Sequence, residues 1–106
     1  MKKIKILLFV SSHCPHCPSA EHVVKKVVKD YCEYGISFSK IRIKTSEGKE
    51  LSSRYGIMAT PSIIILENGN ETQRIVGVPS ENGLRNKIEK SLGLKKSFLS
   101  KIFGRR

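Results

Sequence analysis

Residues 3–10, Lys-Ile-Lys-Ile-Leu-Leu-Phe-Val, alternate at first and then run continuously apolar. A strand entering a sheet covered on both faces has this pattern. Ala20, Val23, Val24, Val27, Val28 and Tyr31 then recur at i, i+3, i+4, i+7, i+8 and i+11. That spacing predicts a helix over about 15–34 with one buried face. Its valines lower helix propensity, so packing must hold it. Pro15 suits the first turn and Gly35 suits the stop. A second strand is predicted over 36–43. Its apolar phase changes between Phe38 and Ile41, which predicts a bulge or an offset start. Thr45 or Ser46 is the predicted cap of a short helix reaching about Arg54, with Glu47 in its first turn.

The run 62–66, Ser-Ile-Ile-Ile-Leu, reads as a buried strand introduced by Thr60 and Pro61. Asn68 and Gly69 are a strong hairpin signal, and a partner strand is predicted over 72–78. Ser80 is the expected N-cap of a last helix striped by Leu84, Ile88 and Leu92 and ended by Gly93. The order β-α-β-α-β-β-α defines an α/β fold. A β-α-β start implies a parallel pair with a right-handed crossover, and the hairpin adds antiparallel strands. The reading is one domain over 1–93, with a mixed four-stranded sheet flanked by helices.

Residues 94–106 stand apart. Leu94, Phe98, Leu99, Ile102 and Phe103 fall at i, i+4, i+5, i+8 and i+9, and lysines take most of the other face. This is a basic amphipathic tail, suited to weak contact with an anionic membrane surface or a partner, or to packing on its own domain. The chain of 106 residues carries a net charge of +11. Five cations and no acid lie in the last twelve positions, which leaves +6 for the rest. A basic balance favours acidic partners without choosing among them. No nucleic-acid-binding module is recognisable, and no nucleic-acid partner is expected. Three cysteines are too few for a secreted disulfide scaffold. The N-terminal apolar run is too short for a signal-peptide core and no stretch is long enough to span a membrane. The expected location is cytoplasmic.

The chemistry concentrates in His13-Cys14-Pro15-His16-Cys17, between the first strand and the first helix. Two cysteines at this spacing, where a strand gives way to a helix, point to a redox-active dithiol. The unpaired N–H groups and positive end of the helix favour a thiolate at Cys14, and His16, when protonated, adds to this. The same cysteines with His13, His16, His22 and Cys32 are also ligand types for a metal or cluster, although zinc usually takes four ligands. Both readings stay open here, the dithiol leading. His22 lies beside the apolar stripe and reads as a surface histidine. Cys32, near the helix end, reads as a buried or half-buried small apolar residue.

The element order, Cys14-Pro15-His16-Cys17, Tyr55-Gly56-Ile57 and Thr60-Pro61-Ser62 together resemble the thioredoxin fold. The closest pattern is that of the small thioredoxin/glutaredoxin-like disulfide oxidoreductases of archaea and some bacteria, over about residues 3–93. The resemblance implies a thiol–disulfide oxidoreductase acting mainly as a protein-disulfide reductase. Cys14 would attack and form a mixed disulfide, and Cys17 would resolve it. Pro15 and His16 would tune the thiol. Pro61 would be cis and face the dithiol, with Thr60 and His13 also meeting substrate. Lys40 or Lys44 would either approach the dithiol or stay a solvated strand lysine. The implied partners are protein disulfides and an upstream disulfide reductase, with no cofactor and no metal. The chain departs from the pattern at three places. Leu8 stands where larger members carry a buried acid. His13 stands where a Trp often precedes the first cysteine. Gly77-Val78-Pro79-Ser80-Glu81 replaces the glycine pair and acid of glutathione-binding members.

Overall fold

A computed structural model describes residues 3–93. The expectation for the tail at 94–106 lies outside the described residues. The elements are β1 (Ile4–Val10), α1 (Cys17–Lys29), a 3-10 turn (Cys32–Tyr34), β2 (Ser37–Arg42), α2 (Ser46–Arg54), β3 (Ser62–Glu67), β4 (Asn70–Val76) and α3 (Glu81–Ser91). The four strands form one sheet in the order β2-β1-β3-β4. β1 and β2 are parallel, whereas β1–β3 and β3–β4 are antiparallel. The mixed sheet flanked by helices is the predicted architecture.

β1 and β3 are central and buried on both faces, as their continuous apolar runs require. Even positions of β1 (Ile4, Ile6, Leu8, Val10) join Ile63 and Ile65 of β3 beneath α1 and α3. Odd positions (Leu7, Phe9) join Ile41, Ile64 and Leu66 beneath Leu51 of α2 and the Tyr55–Ile57 turn. The alternation of a strand thus supplies two cores from one segment. Each fully buried Ile, Leu or Phe contributes roughly 1.5–3 kcal/mol over its exposed state.

Four local expectations change. α1 starts at Cys17, so Pro15 sits in the preceding turn and Pro18 takes the first-turn role. Its regular part ends at Lys29, and Tyr31 is held by the 3-10 turn that Gly35 closes at φ 77°. β4 covers 70–76 because Asn68 (φ 52°) and Gly69 (φ 88°) form a two-residue left-handed turn directly between the strands. The phase change in β2 is a change of face: β2 pairs with β1 without a register shift. Ile36 and Phe38 pack toward α1, while Ile41 and Ile43 pack toward α2. The irregularity in the sheet lies instead between Ile65 and Leu66 of β3 and their partners in β4.

The caps form as expected. Thr45 Oγ1 accepts from Gly48 N and Ser80 Oγ accepts from Gly83 N. α1 and α3 are laced together by Tyr31 donating to Glu89, Arg85 to Asp30 (2.7 Å) and Lys26 to Glu81 (2.8 Å).

Candidate active site

β1 delivers the chain to the dithiol. Val10 lies opposite Arg42 in the parallel pair, and its carbonyl accepts from Ile43 N at 3.1 Å, so the end of β1 is fixed against the end of β2. The turn that follows is held by its own backbone and side chains. Cys14 N donates to Ser11 O (3.3 Å), His13 N to Ser11 Oγ (3.3 Å) and Cys17 N to Cys14 O (3.4 Å). This winding brings Cys14 and Cys17 to a Cα–Cα distance of 5.4 Å, and their sulfurs form a disulfide. The two cysteines differ in access: Cys14 is half-buried, whereas Cys17 is 4% exposed and belongs to the core beneath α1.

The expected neighbours divide. His16 is the exposed N-cap residue of α1, and its side chain makes no capping hydrogen bond. Pro15 and His13 are exposed in the turn, and His22 is exposed on α1 as expected. Pro61 is buried, and the Thr60–Pro61 peptide is cis. Ser62 pairs with Phe9, so the register sets Pro61 beside Val10, at the sheet end from which the dithiol turn leaves. Gly77 N donates to Pro61 O at 2.8 Å, which brings the 76–78 loop to the same end. Thr60 is half-buried. Met58 (96% exposed), Val76 and Val78 leave large apolar side chains uncovered on this loop cluster.

Cys32 is corrected. It is an exposed free cysteine, because the 3-10 turn carries it out of the stripe that buries Tyr31. Among the described residues no group of three or more His, Cys, Asp or Glu side chains is placed to hold a metal ion, so the metal or cluster reading gains no support. No helix among the described residues is long and apolar enough to cross a membrane.

A cavity of about 430 Å³ opens beside the dithiol, lined among others by Cys14, Cys17, Glu21, Lys40, Arg42 and Lys44. Lys40 and Lys44 thus both reach the site. Glu21 and Arg42 are the residues that sequence reasoning missed. Glu21 is four positions after Cys17, which puts both on one helix face, and that spacing was the available signal. Glu21 contacts Lys25 at 2.8 Å and Lys40 at 3.3 Å. The Lys25 hydrogen bond holds its carboxyl below the usual range; burial opposes that shift and Lys40 adds to it. Leu8, where the resemblance places an acid, is fully buried among aliphatic side chains.

Such a pair performs one kind of chemistry well. A partly accessible sulfur in the turn before a helix and a shielded sulfur at the helix's first position, within bonding distance, exchange a disulfide with an outside disulfide or dithiol. The site and fold define a thiol–disulfide exchange protein.

Comparison with known proteins agrees. The Thioredoxin family model matches residues 1–90. A probable thioredoxin of Archaeoglobus fulgidus is 38% identical over 90 residues, covering 85% of this chain and 91% of that protein. A thioredoxin of Methanocaldococcus jannaschii is 36% identical over 92 residues, covering 87% of this chain and 100% of that protein. Among solved structures, thioredoxin-2 of a malaria parasite superposes with a TM-score of 0.74 at 25% identity, covering 84% of each chain. The chain belongs to the thioredoxin family and is a CxxC thiol–disulfide oxidoreductase.

Proposed function

We propose that the protein works as a protein-disulfide reductase with Cys14 as the attacking sulfur and Cys17 as the resolving one. The observation that carries this reading is the unequal access of two bonded cysteines, Cys14 half-buried before α1 and Cys17 almost closed off at its first position. In the reduced protein the Cys14 thiolate attacks a substrate disulfide, forming one S–S bond and breaking another. The first substrate sulfur leaves and takes a proton. Cys17, giving up its proton, then attacks Cys14 and restores the Cys14–Cys17 disulfide as the second substrate thiol leaves. Two electrons and two protons pass to the substrate. An upstream disulfide reductase resets the dithiol.

The α1 start favours the thiolate, with Pro15 shaping the turn and His16 adding positive charge when protonated. The backbone at Thr60 and cis-Pro61, with His13 across the turn, receives an extended substrate segment. The uncovered Met58, Val76 and Val78 support this placement. The working unit is placed at 1–93. Residues 94–106, basic and free of acid, form a separate segment for weak contact with an anionic membrane or a partner. The proposed setting is cytoplasmic, supported by the low cysteine count and by the archaeal relatives.

Cys14→Ser should take dithiothreitol-driven insulin reduction to the uncatalysed rate, and unchanged turnover would refute the assignment. The direction is tested by the reduction potential of the pair. A reductase should lie near the value of about −270 mV typical of thioredoxin, and a value near about −120 mV would make the protein an oxidant.

A further inference from the structure

The cavity beside Cys14 is strongly one-signed. Its charged lining is Lys40, Arg42, Lys44 and Glu21, three cations against one acid. That acid is engaged by Lys25 at 2.8 Å and by Lys40 at 3.3 Å. Arg42 and Lys44 are exposed and stand at the end of edge strand β2. Arg42 is locked next to the dithiol turn by its pairing with Val10. The cations are therefore fixed to the site by the sheet register, and a volume of about 430 Å³ admits side chains of a bound segment. The apolar side chains Met58, Val76 and Val78 lie around Pro61. β1 separates the two flanks, because β2 and β3 lie on opposite sides of it.

We infer that the protein prefers disulfides set in acidic polypeptide segments, whose carboxylates enter the cavity walled by Lys40, Arg42 and Lys44 while the disulfide meets Cys14. This rests on the reductase reading and adds a substrate class to it. Cations focused in a cleft raise the encounter rate of an anionic partner by tenfold or more, and salt removes the gain. A net charge spread evenly over the surface would raise that rate without regard to Arg42 or Lys44.

The test uses three synthetic peptides of one length, each with one internal disulfide flanked by Asp and Glu, by Asn and Gln, or by Lys. Their reduction by the full chain, recycled with dithiothreitol, is followed at low and high salt. The acidic peptide should show kcat/KM about tenfold above the neutral one at low salt, and the two should converge at high salt. Arg42→Glu with Lys44→Glu should bring the acidic-to-neutral ratio to about one or below. Arg42→Gln with Lys44→Gln, a gentler pair, should lower it in the same sense. Lys29→Glu with Lys90→Glu, an equal charge change away from the cavity, should preserve the ratio. Equal rates for all three peptides, a faster basic peptide, or an equal loss in the Lys29/Lys90 variant would overturn the inference while leaving the reductase reading intact. No reduction of any peptide would instead remove the reductase reading on which it rests.

Discussion

The two ends of β1 and β3 teach different things, although they belong to the same strands. At one end the chain is closed with the least material available. Asn68 and Gly69 turn β3 into β4, Asn68 N donates to Lys3 O at 2.8 Å, and Lys3 N donates to Asn68 Oδ1 at 3.0 Å. Backbone and side-chain groups there are spent on holding the sheet. At the other end the same strands open into the dithiol turn, cis-Pro61 and the 76–78 loop, with Met58, Val76 and Val78 uncovered and a cationic cavity alongside. Stability is built at the hairpin end and chemistry at the dithiol end. Between them lies the core, fully buried at Ile4, Ile6, Leu8 and Phe9.

Two glycines probe that division. Gly48, in the first turn of α2, is buried, and a Cβ there would collide with the carbonyl of Arg42. Gly48→Ala should force α2 away from the end of β2. The expected cost is about 1–3 kcal/mol in urea unfolding, with a measurable fall in disulfide-reductase kcat/KM because Arg42 moves. Gly69 has open space around its missing Cβ but φ 88°. Gly69→Ala should cost only the left-handed backbone conformation, about 1–2 kcal/mol, and leave kcat/KM unchanged. Equal effects of the two substitutions on activity would break the division between the ends.

An effect confined to high pH belongs to the seam between α1 and α3, away from both ends. Tyr31 is pushed up to about 12, first by burial and then by its hydrogen bond to Glu89. The folded protein therefore keeps this proton where the unfolded chain, near pH 10, gives it up. The stabilisation is complete below about pH 10 and is lost as pH rises toward about 12, by on the order of 2 kcal/mol. Unfolding of the wild type should weaken over that window. Tyr31→Phe should flatten the slope without changing turnover at neutral pH, and an unchanged slope would contradict the assignment.

Much of this was legible in the chain. The periodicity of 4–10, that of 20–28, the Asn68-Gly69 turn and the caps Thr45 and Ser80 each express a local rule, and each appears where that rule puts it; Tyr31 alone of the helical stripe lies past the end of α1. The dithiol was legible because its spacing and its place after a strand are both local. The misreadings have tertiary causes. The change of phase in β2 looked like a bulge because periodicity cannot distinguish an extra residue from a strand that feeds two cores in succession. Cys32 looked buried because a cysteine near a helix end behaves as a small apolar residue, whereas α1 stops at Lys29 and the 3-10 turn leaves Cys32 exposed. Pro15 looked like a first-turn residue because a proline suits that turn, but Pro18, three positions on and second in α1, takes the role. The cavity wall was legible only in part, through Lys40 and Lys44: joining Arg42 to Cys14 needs the β1–β2 register, and joining Glu21 to Lys40 needs α1 packed over that edge.

The central claim is that Cys14 attacks and Cys17 resolves. It is tested most directly by incubating reduced Cys17→Ser protein with a disulfide-containing substrate, quenching with acid and mapping the adduct by peptide mass spectrometry. The account predicts a stable mixed disulfide on Cys14 that added dithiothreitol releases, and none in Cys14→Ser/Cys17→Ser. An adduct on the exposed Cys32 alone, or no adduct at all, would contradict it.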